Sequence, residues 1–270
     1  MNDSAALKQA DVGFSMGSGS EVAKEASDIV ILDDNFASIT QAIKYGRTIY
    51  RSIQKFIVFQ STVNLASGAI VFLGPFLGFD FPLTLIQLLW VNLVMDTLAA
   101  LAFGGEPALE SYMKQKPIQR NANIIDKYMY SAILVNGISI AIACIYFLTS
   151  KSVHSAFGRQ VEGKLKDIVF FTAFFAFFIF CTAWNAFNVR VKSINITENI
   201  FLNKGFLFVI TLIFIVQISF SYIFGEILRT VSLTFDEWFT VISSSSFIIP
   251  IDILRKLAFN SFLSKRRKLN

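Results

Sequence analysis

With one histidine and two cysteines in 270 residues, the sequence has little from which to build a redox centre, a histidine-based catalytic pair or a thiolate metal site. His154 stands in a polar stretch and reads as a solvated loop residue. Cys144 and Cys181 fall inside apolar runs, where cysteine behaves as a small buried hydrophobe rather than a disulfide partner or ligand. Charge is scarce too: 16% of residues are Asp, Glu, Lys or Arg, against roughly a quarter in soluble domains. Together with 54% hydrophobic residues and 30 phenylalanines, this excludes an ordinary water-soluble domain and makes the bilayer the expected solvent. The chain opens on polar Asn2-Asp3-Ser4 rather than a basic segment followed by an apolar one, so insertion is expected to be driven by internal spans. There is no internal repeat, and the only biased tract, the phenylalanines of 170–178, reads as lipid-facing or interhelical packing.

What is present falls into two parts. Residues 1–35 are polar, with a short strand at 10–16, a turn at Gly17-Ser18-Gly19-Ser20, helix formers from Ser20 to Ser27 and a β-branched strand at 29–32. That strand, helix, strand order resembles part of an α/β unit but is too short to bury a core alone. From 38 to 56 the pattern becomes helical and amphipathic and then, without a break, apolar to 77, which predicts one helix leaving a soluble portion as a stalk and entering the membrane. Gly74-Pro75 and Gly78 to Pro82 then force an antiparallel hairpin with a second apolar run at 83–103. Further spans are expected at 129–148, 168–187, 206–224 and 238–254. The fold class is therefore mainly α, a polytopic bundle of six spans with a small N-terminal α/β element.

Six spans place both termini on one side. Lys and Arg gather before the first span, between the second and third, between the fourth and fifth and after the last, so both ends are expected in the cytoplasm. The closing Lys265-Arg266-Arg267-Lys268 reads as a topology anchor or a contact to anionic lipid; after a membrane span this displaces a nucleic-acid partner.

The second run should contain no carboxylate, yet it holds Asp96. A charged Asp at the centre of a membrane helix costs at least ~2.5–3.5 kcal/mol, so it needs a partner, a proton or a cation. Asn92 lies four residues earlier on the same face, and the hairpin sets Asn64 of the first span against both. Asn64, Asn92 and Asp96 could offer three oxygens to a hard cation; calcium takes six to eight, the remainder coming from other protein atoms or water. The plainer alternative is a carboxylate hydrogen-bonded inside the bundle. Asn185, Asn188 and Gln217 read as interhelical hydrogen bonds.

Two long strings then carry a resemblance. Asn2 to Gly13, with Glu21-Val22-Ala23-Lys24-Glu25-Ala26-Ser27-Asp28 and Leu32-Asp33-Asp34-Asn35-Phe36, resembles the end of the phosphorylation domain of P-type ATPases. Leu89-Trp90-Val91-Asn92-Leu93-Val94-Met95-Asp96-Thr97, followed by Glu106-Pro107, resembles the sixth membrane helix of the calcium pumps. The resemblance implies a remnant of a HAD-like phosphorylation domain over 1–37, a stalk helix over 38–55, a cation-transport domain over 56–257 and a basic cytoplasmic tail over 258–270. It implies that Asn2 and Asp3 end the motif that holds magnesium and the acyl phosphate, and that Asn64, Asn92 and Asp96 ligate calcium. Ser67, where two-site reticulum pumps have a glutamate, points to the plasma-membrane type. Emptied of metal, Asp96 would be expected to take up a proton, giving a calcium/proton exchanger.

The resemblance also shows what these residues do not contain: Asp-Lys-Thr-Gly, since Asp126-Lys127 continues with Tyr128-Met129, the Thr-Gly-Glu loop and the nucleotide domain. Phosphoryl transfer needs those parts, so the chain alone is expected not to hydrolyse ATP. It reads as a fragment of a pump, the product of a misplaced start or disrupted gene, or one half of a split assembly with a missing N-terminal pump portion, with magnesium and ATP only in a complete pump. The alternatives are a pump of another cation, a channel-like cation-binding protein, or a membrane scaffold.

Overall fold

The computed structural model describes residues 3–119 and 121–269, and the side chains among them other than those of 226 and 263–269. Asn2 and the side chains of the basic run 265–268 therefore lie outside the described residues.

The chain forms two compact units. The first takes the residues up to Ser52 together with Pro107–Ile124. It begins with a helix over Ser4–Gln9, a strand over Phe14–Met16, a helix over Glu21–Ala26 and a strand over Ile29–Ile31. The strands pair in parallel, Phe14 opposite Ile29 and Met16 opposite Ile31, which is the expected strand, helix, strand order. Ser20 caps the helix between them by accepting from the Ala23 N–H. Asp28 accepts from the Gly13 N–H at 2.8 Å, tying the entrances of the two strands. The basic residues of the stalk are engaged inside this unit: Arg47 donates to the carbonyls of Tyr112 (2.6 Å) and Gln115 (2.7 Å), Arg51 to Gln115 Oε1 and Lys44 to Glu110, so the segment 107–124 is strapped to the helix.

The second unit takes Ile53–Glu106 and Ile125–Asn270 and contains the apolar helices. Six helices are long and apolar enough to cross a membrane: Phe36–Leu73, Leu85–Gly104, Lys127–Thr149, Ile168–Arg190, Lys204–Ile223 and Phe235–Phe262, here the first to sixth spans. The first runs unbroken from the stalk into the membrane, as the pattern predicts. Gly78 ends the turn that follows it, at φ 89°, a left-handed conformation open to glycine without cost. The sixth bends at residues 246–247, between helices over Phe235–Ser245 and Ile248–Leu269.

The fourth span is the core. Its apolar segment is 89% buried, against 28–50% for the others, because it is apolar all round rather than on one stripe. Phe170, Phe174, Phe175, Phe178 and Phe180 are each at most 1% exposed. This decides between the two readings of the phenylalanine tract: it packs between helices. Phe174 and Phe177 meet Phe147 of the third span (5.9 and 5.1 Å), and Phe180 meets Phe214 of the fifth (4.6 Å). Cys144 and Cys181 are buried free thiols within this core. Gly137 lets the third span approach the first, since a Cβ there would fall 2.8 Å from Leu65 Cδ2. His154 departs from the expected loop. It lies on a helix over Lys151–Ala156, with its ring 4.7 Å from that of Phe170 and Nε2 3.7 Å from Asp167 Oδ1; the phenylalanine at the start of the fourth span gives that helix a surface to pack on.

Candidate ion-binding site

The second span is built to hold one distorted turn. It starts with a capping box, Thr84 accepting from the Gln87 N–H and Gln87 Oε1 from the Thr84 N–H. The other end of the Gln87 amide donates to the carbonyl of Leu228 at 2.9 Å. One turn later Trp90 Nε1 donates to Gln217 Oε1 of the fifth span at 3.2 Å. The helix then widens into a π turn over Val91–Met95, where the Asp96 N–H reaches back five residues to the Val91 carbonyl. Such turns cost hydrogen-bond geometry and are found mostly where a side chain must be re-aimed. Thr182 of the fourth span closes the turn with its hydroxyl 3.2 Å from Met95 Sδ. At the far end Asn203 holds the Ala102 carbonyl (3.3 Å) while capping the fifth span, and Glu106 pairs with Lys55 of the first span at 3.0 Å.

Asp96 leaves this turn pointing inward and is 7% exposed. Its Oδ2 accepts from Gln60 Nε2 of the first span at 2.5 Å. Its Oδ1 is buried with no hydrogen-bond partner among the described residues, and so is Gln60 Oε1. Asn64 and Asn92 are exposed on the surface of this chain. The structure thus brings Asp96 to the first span through Gln60, which sequence reasoning passed over. The signal was there, because Gln60 and Asn64 are a polar pair at i, i+4 inside an apolar run. Of the other predicted pair, Asp3 is exposed and stands before the helix over Ser4–Gln9 without capping it through its side chain, and Asn2 is outside the described residues.

A second intramembrane acid was also passed over. Asp252 of the sixth span is fully buried, with Arg255 Nε 2.6 Å from Oδ1 and Lys256 Nζ 3.0 Å from Oδ2. Asn136 of the third span donates to Asp252 Oδ1 and to Asn185 Oδ1, each at 3.0 Å. Asn188 donates to the Ile248 carbonyl and its own carbonyl accepts from Lys256, both at 3.0 Å. Arg255 reaches Ser131 (2.9 Å) and the Tyr128 hydroxyl (3.1 Å), its guanidinium 4.5 Å from the Tyr128 ring. Asn185, Asn188 and Gln217 thus make interhelical hydrogen bonds, as expected. Asp252 falls inside the expected span at 238–254 but was passed over because Arg255 and Lys256 were read as topology charges, whereas Asp, Arg and Lys at i, i+3 and i+4 form one buried cluster.

Residues 80–258 match the family model described as cation transporting ATPase, C-terminus. The calcium-transporting ATPase 12, plasma membrane-type, of Arabidopsis thaliana is 40% identical over 258 residues, which are 94% of this chain and 24% of that protein. The probable calcium-transporting ATPase 6, plasma membrane-type, of Oryza sativa subsp. japonica is 37% identical over 255 residues, 93% of this chain and 24% of that protein. The chain spans about a quarter of the length of the curated relatives it matches. Since the family match runs from the hairpin before Asp96 to beyond Lys256 and takes in both intramembrane aspartates, the chain belongs to the C-terminal family of the cation-transporting ATPases.

Proposed function

We propose that this chain supplies the rear membrane portion of an ATP-driven calcium pump and carries part of its intramembrane calcium site, at Asn64, Asn92 and Asp96. The observation that carries the reading is Asp96: a carboxylate in the apolar interior, on a π turn, with one donor on one oxygen and none on the other. A carboxylate kept only for packing would be expected to be fully paired. The names of the plant relatives support calcium as the ion.

In this reading residues 1–37 end the phosphorylation domain, where Asn2 and Asp3 help to hold magnesium, 38–55 are the stalk, 56–257 the transport domain and 258–270 a cytoplasmic tail, with both termini cytoplasmic. Movement of the stalk reaches Asn64 along one unbroken helix, and Lys55 passes it to the end of the second span through Glu106. Asp96 then alternates between holding calcium and holding a proton. These 270 residues contain no Asp-Lys-Thr-Gly, so the phosphoenzyme forms on a segment outside them and the chain by itself is inactive as an ATPase. The test is a chimaera in which this chain replaces the matching quarter of a plant relative. ATP-driven calcium uptake into vesicles is expected, with loss on Asp96→Asn; uptake unchanged by that substitution overturns the assignment.

A further inference from the structure

Among the described residues Gln60 is the one side chain bonded to Asp96, and its bond fixes more than one contact. With Nε2 donating to Asp96 Oδ2, two oxygens of the bonded pair, Gln60 Oε1 and Asp96 Oδ1, are left buried and without a donor among the described residues. Buried oxygens are nearly always satisfied, because each gives up its hydration on burial. Two on one bonded pair mark a place prepared for something electropositive.

The bond also sets the register of the two spans. They form an antiparallel hairpin, Gln60 precedes Asn64 by four residues and Asn92 precedes Asp96 by four, about one helical turn each. With Gln60 level with Asp96, Asn64 comes level with Asn92. At the level of Asp96 a carboxylate and a carboxamide meet, while Asn64 and Asn92, one turn away, are exposed on the surface of this chain. Other amides at this depth are spent differently: Asn136 on Asp252 and Asn185, Asn188 on the Ile248 carbonyl, Gln217 on Trp90. Asn136, Asn185 and Asn188 also leave a buried polar atom without a hydrogen bond, but the carboxylate that Asn136 binds has a cation on each oxygen, Arg255 on Oδ1 and Lys256 on Oδ2, whereas Gln60 binds a carboxylate that has no cation beside it among the described residues.

We infer that Gln60 is a fourth ligand side chain of the intramembrane cation site, its N–H orienting Asp96 and its Oε1 joining Asp96 Oδ1 as a donor to a hard divalent cation. This rests on the calcium reading of Asp96 and adds a neutral oxygen to a set that needs six to eight. The test titrates calcium-45 alone against the full chain in lipid nanodiscs. Gln60→Met, which keeps the length and removes both polar atoms, is expected to weaken binding about tenfold, the scale of roughly 1.4 kcal/mol. Gln60→Glu, which keeps an oxygen, is expected to bind at least as tightly as the parent, while Asp96→Asn abolishes binding. If Gln60→Met does not elute as a single species, Gln60→Ala takes its place with the same expectation. A side chain needed only for packing predicts that Met and Glu fail together, and that result overturns the ligand role. Parent-like binding by Gln60→Met with loss in Asp96→Asn overturns this inference and leaves the calcium site standing. No binding by the parent chain, or none lost in Asp96→Asn, overturns both.

Discussion

Among the described residues two aspartates are buried within the apolar helices, and the bundle treats them in opposite ways. Asp252 is enclosed by Arg255, Lys256 and Asn136, and the cations around it are themselves bonded to Asn188, Ser131 and Tyr128. Asp96 has Gln60 on one oxygen and, among the described residues, no hydrogen-bond partner on the other. The rule that intramembrane acids are functional by default therefore divides here. An acid surrounded by fixed counter-charge has no capacity left for a transported ion and locks the third, fourth and sixth spans together. An acid with a single neutral donor keeps its charge available. On the proposed reading, partner count, rather than depth or burial, separates a structural acid from a transporting one.

The largest effect should follow from breaking the saturated member. Asp252→Ala leaves Arg255 and Lys256 buried without their carboxylate, which is expected to cost about 3–5 kcal/mol, the penalty for orphaning a buried pair. Thermal unfolding in detergent, followed by tryptophan fluorescence, measures it, and a variant as stable as the parent would show that the cluster contributes nothing net. The same assay on Asp96→Asn gives the counterpart. Its folding stability should change by less than about 1 kcal/mol, since one neutral hydrogen bond is at stake. What should vanish is the gain in melting temperature on adding calcium, which at a hundredfold excess over Kd is worth roughly 2.7 kcal/mol. Equal calcium protection in parent and variant would place the ion elsewhere.

Much of this was legible before the structure. Six apolar helices, the unbroken stalk and first span, the strand, helix, strand opening and the burial of Asp96 all follow from hydropathy and from one misplaced acid. The misses share a physical cause. Asn136 is a single amide in an apolar run and Gln60 one of a pair with Asn64, and a linear reading has no means of saying what lies across from either. Arg255 and Lys256 carry the signature of a flanking basic anchor, yet their direction is set by the Asp one turn earlier. The stalk arginines were likewise counted as topology charges, and they also strap the 107–124 segment to its helix. Charge alone gives an expected side of the membrane; three-dimensional pairing shows what each charge is bonded to.

A smaller effect concerns how the first span is held in place to offer Gln60. Gly137 of the third span touches Leu65, and an added methyl would sit 2.8 Å from Leu65 Cδ2, the movable end of a side chain. Gly137→Ala is expected to cost about 1–3 kcal/mol by overpacking and to be rescued largely by Leu65→Ala in the same chain. Additive losses in the double variant would mean that this contact does not set the approach of the two helices.

The smallest effect belongs to aspartates in water, which complete the contrast. Asp33 is held below the ordinary carboxylate range chiefly by the Ser38 hydroxyl, which donates to its Oδ2 at 2.7 Å. Asp34 is held below it chiefly by the Ser18 N–H, which donates to Oδ1 at 3.0 Å. Both bonds favour the charged form, so their stabilisation is complete above the unfolded value of 3.8 and is lost as the pH falls past it through the lowered folded values. Acidification from about pH 5 to about pH 3 should therefore loosen the turns at 17–19 and 33–35 before the apolar spans respond, seen as faster amide exchange there. Ser38→Ala should move the Asp33 titration midpoint upward and leave that of Asp34 in place, because each carboxylate has its own principal donor. A joint shift of both would mean that the two acids act as one coupled pair and that neighbouring charge, rather than each hydrogen bond, governs the turn.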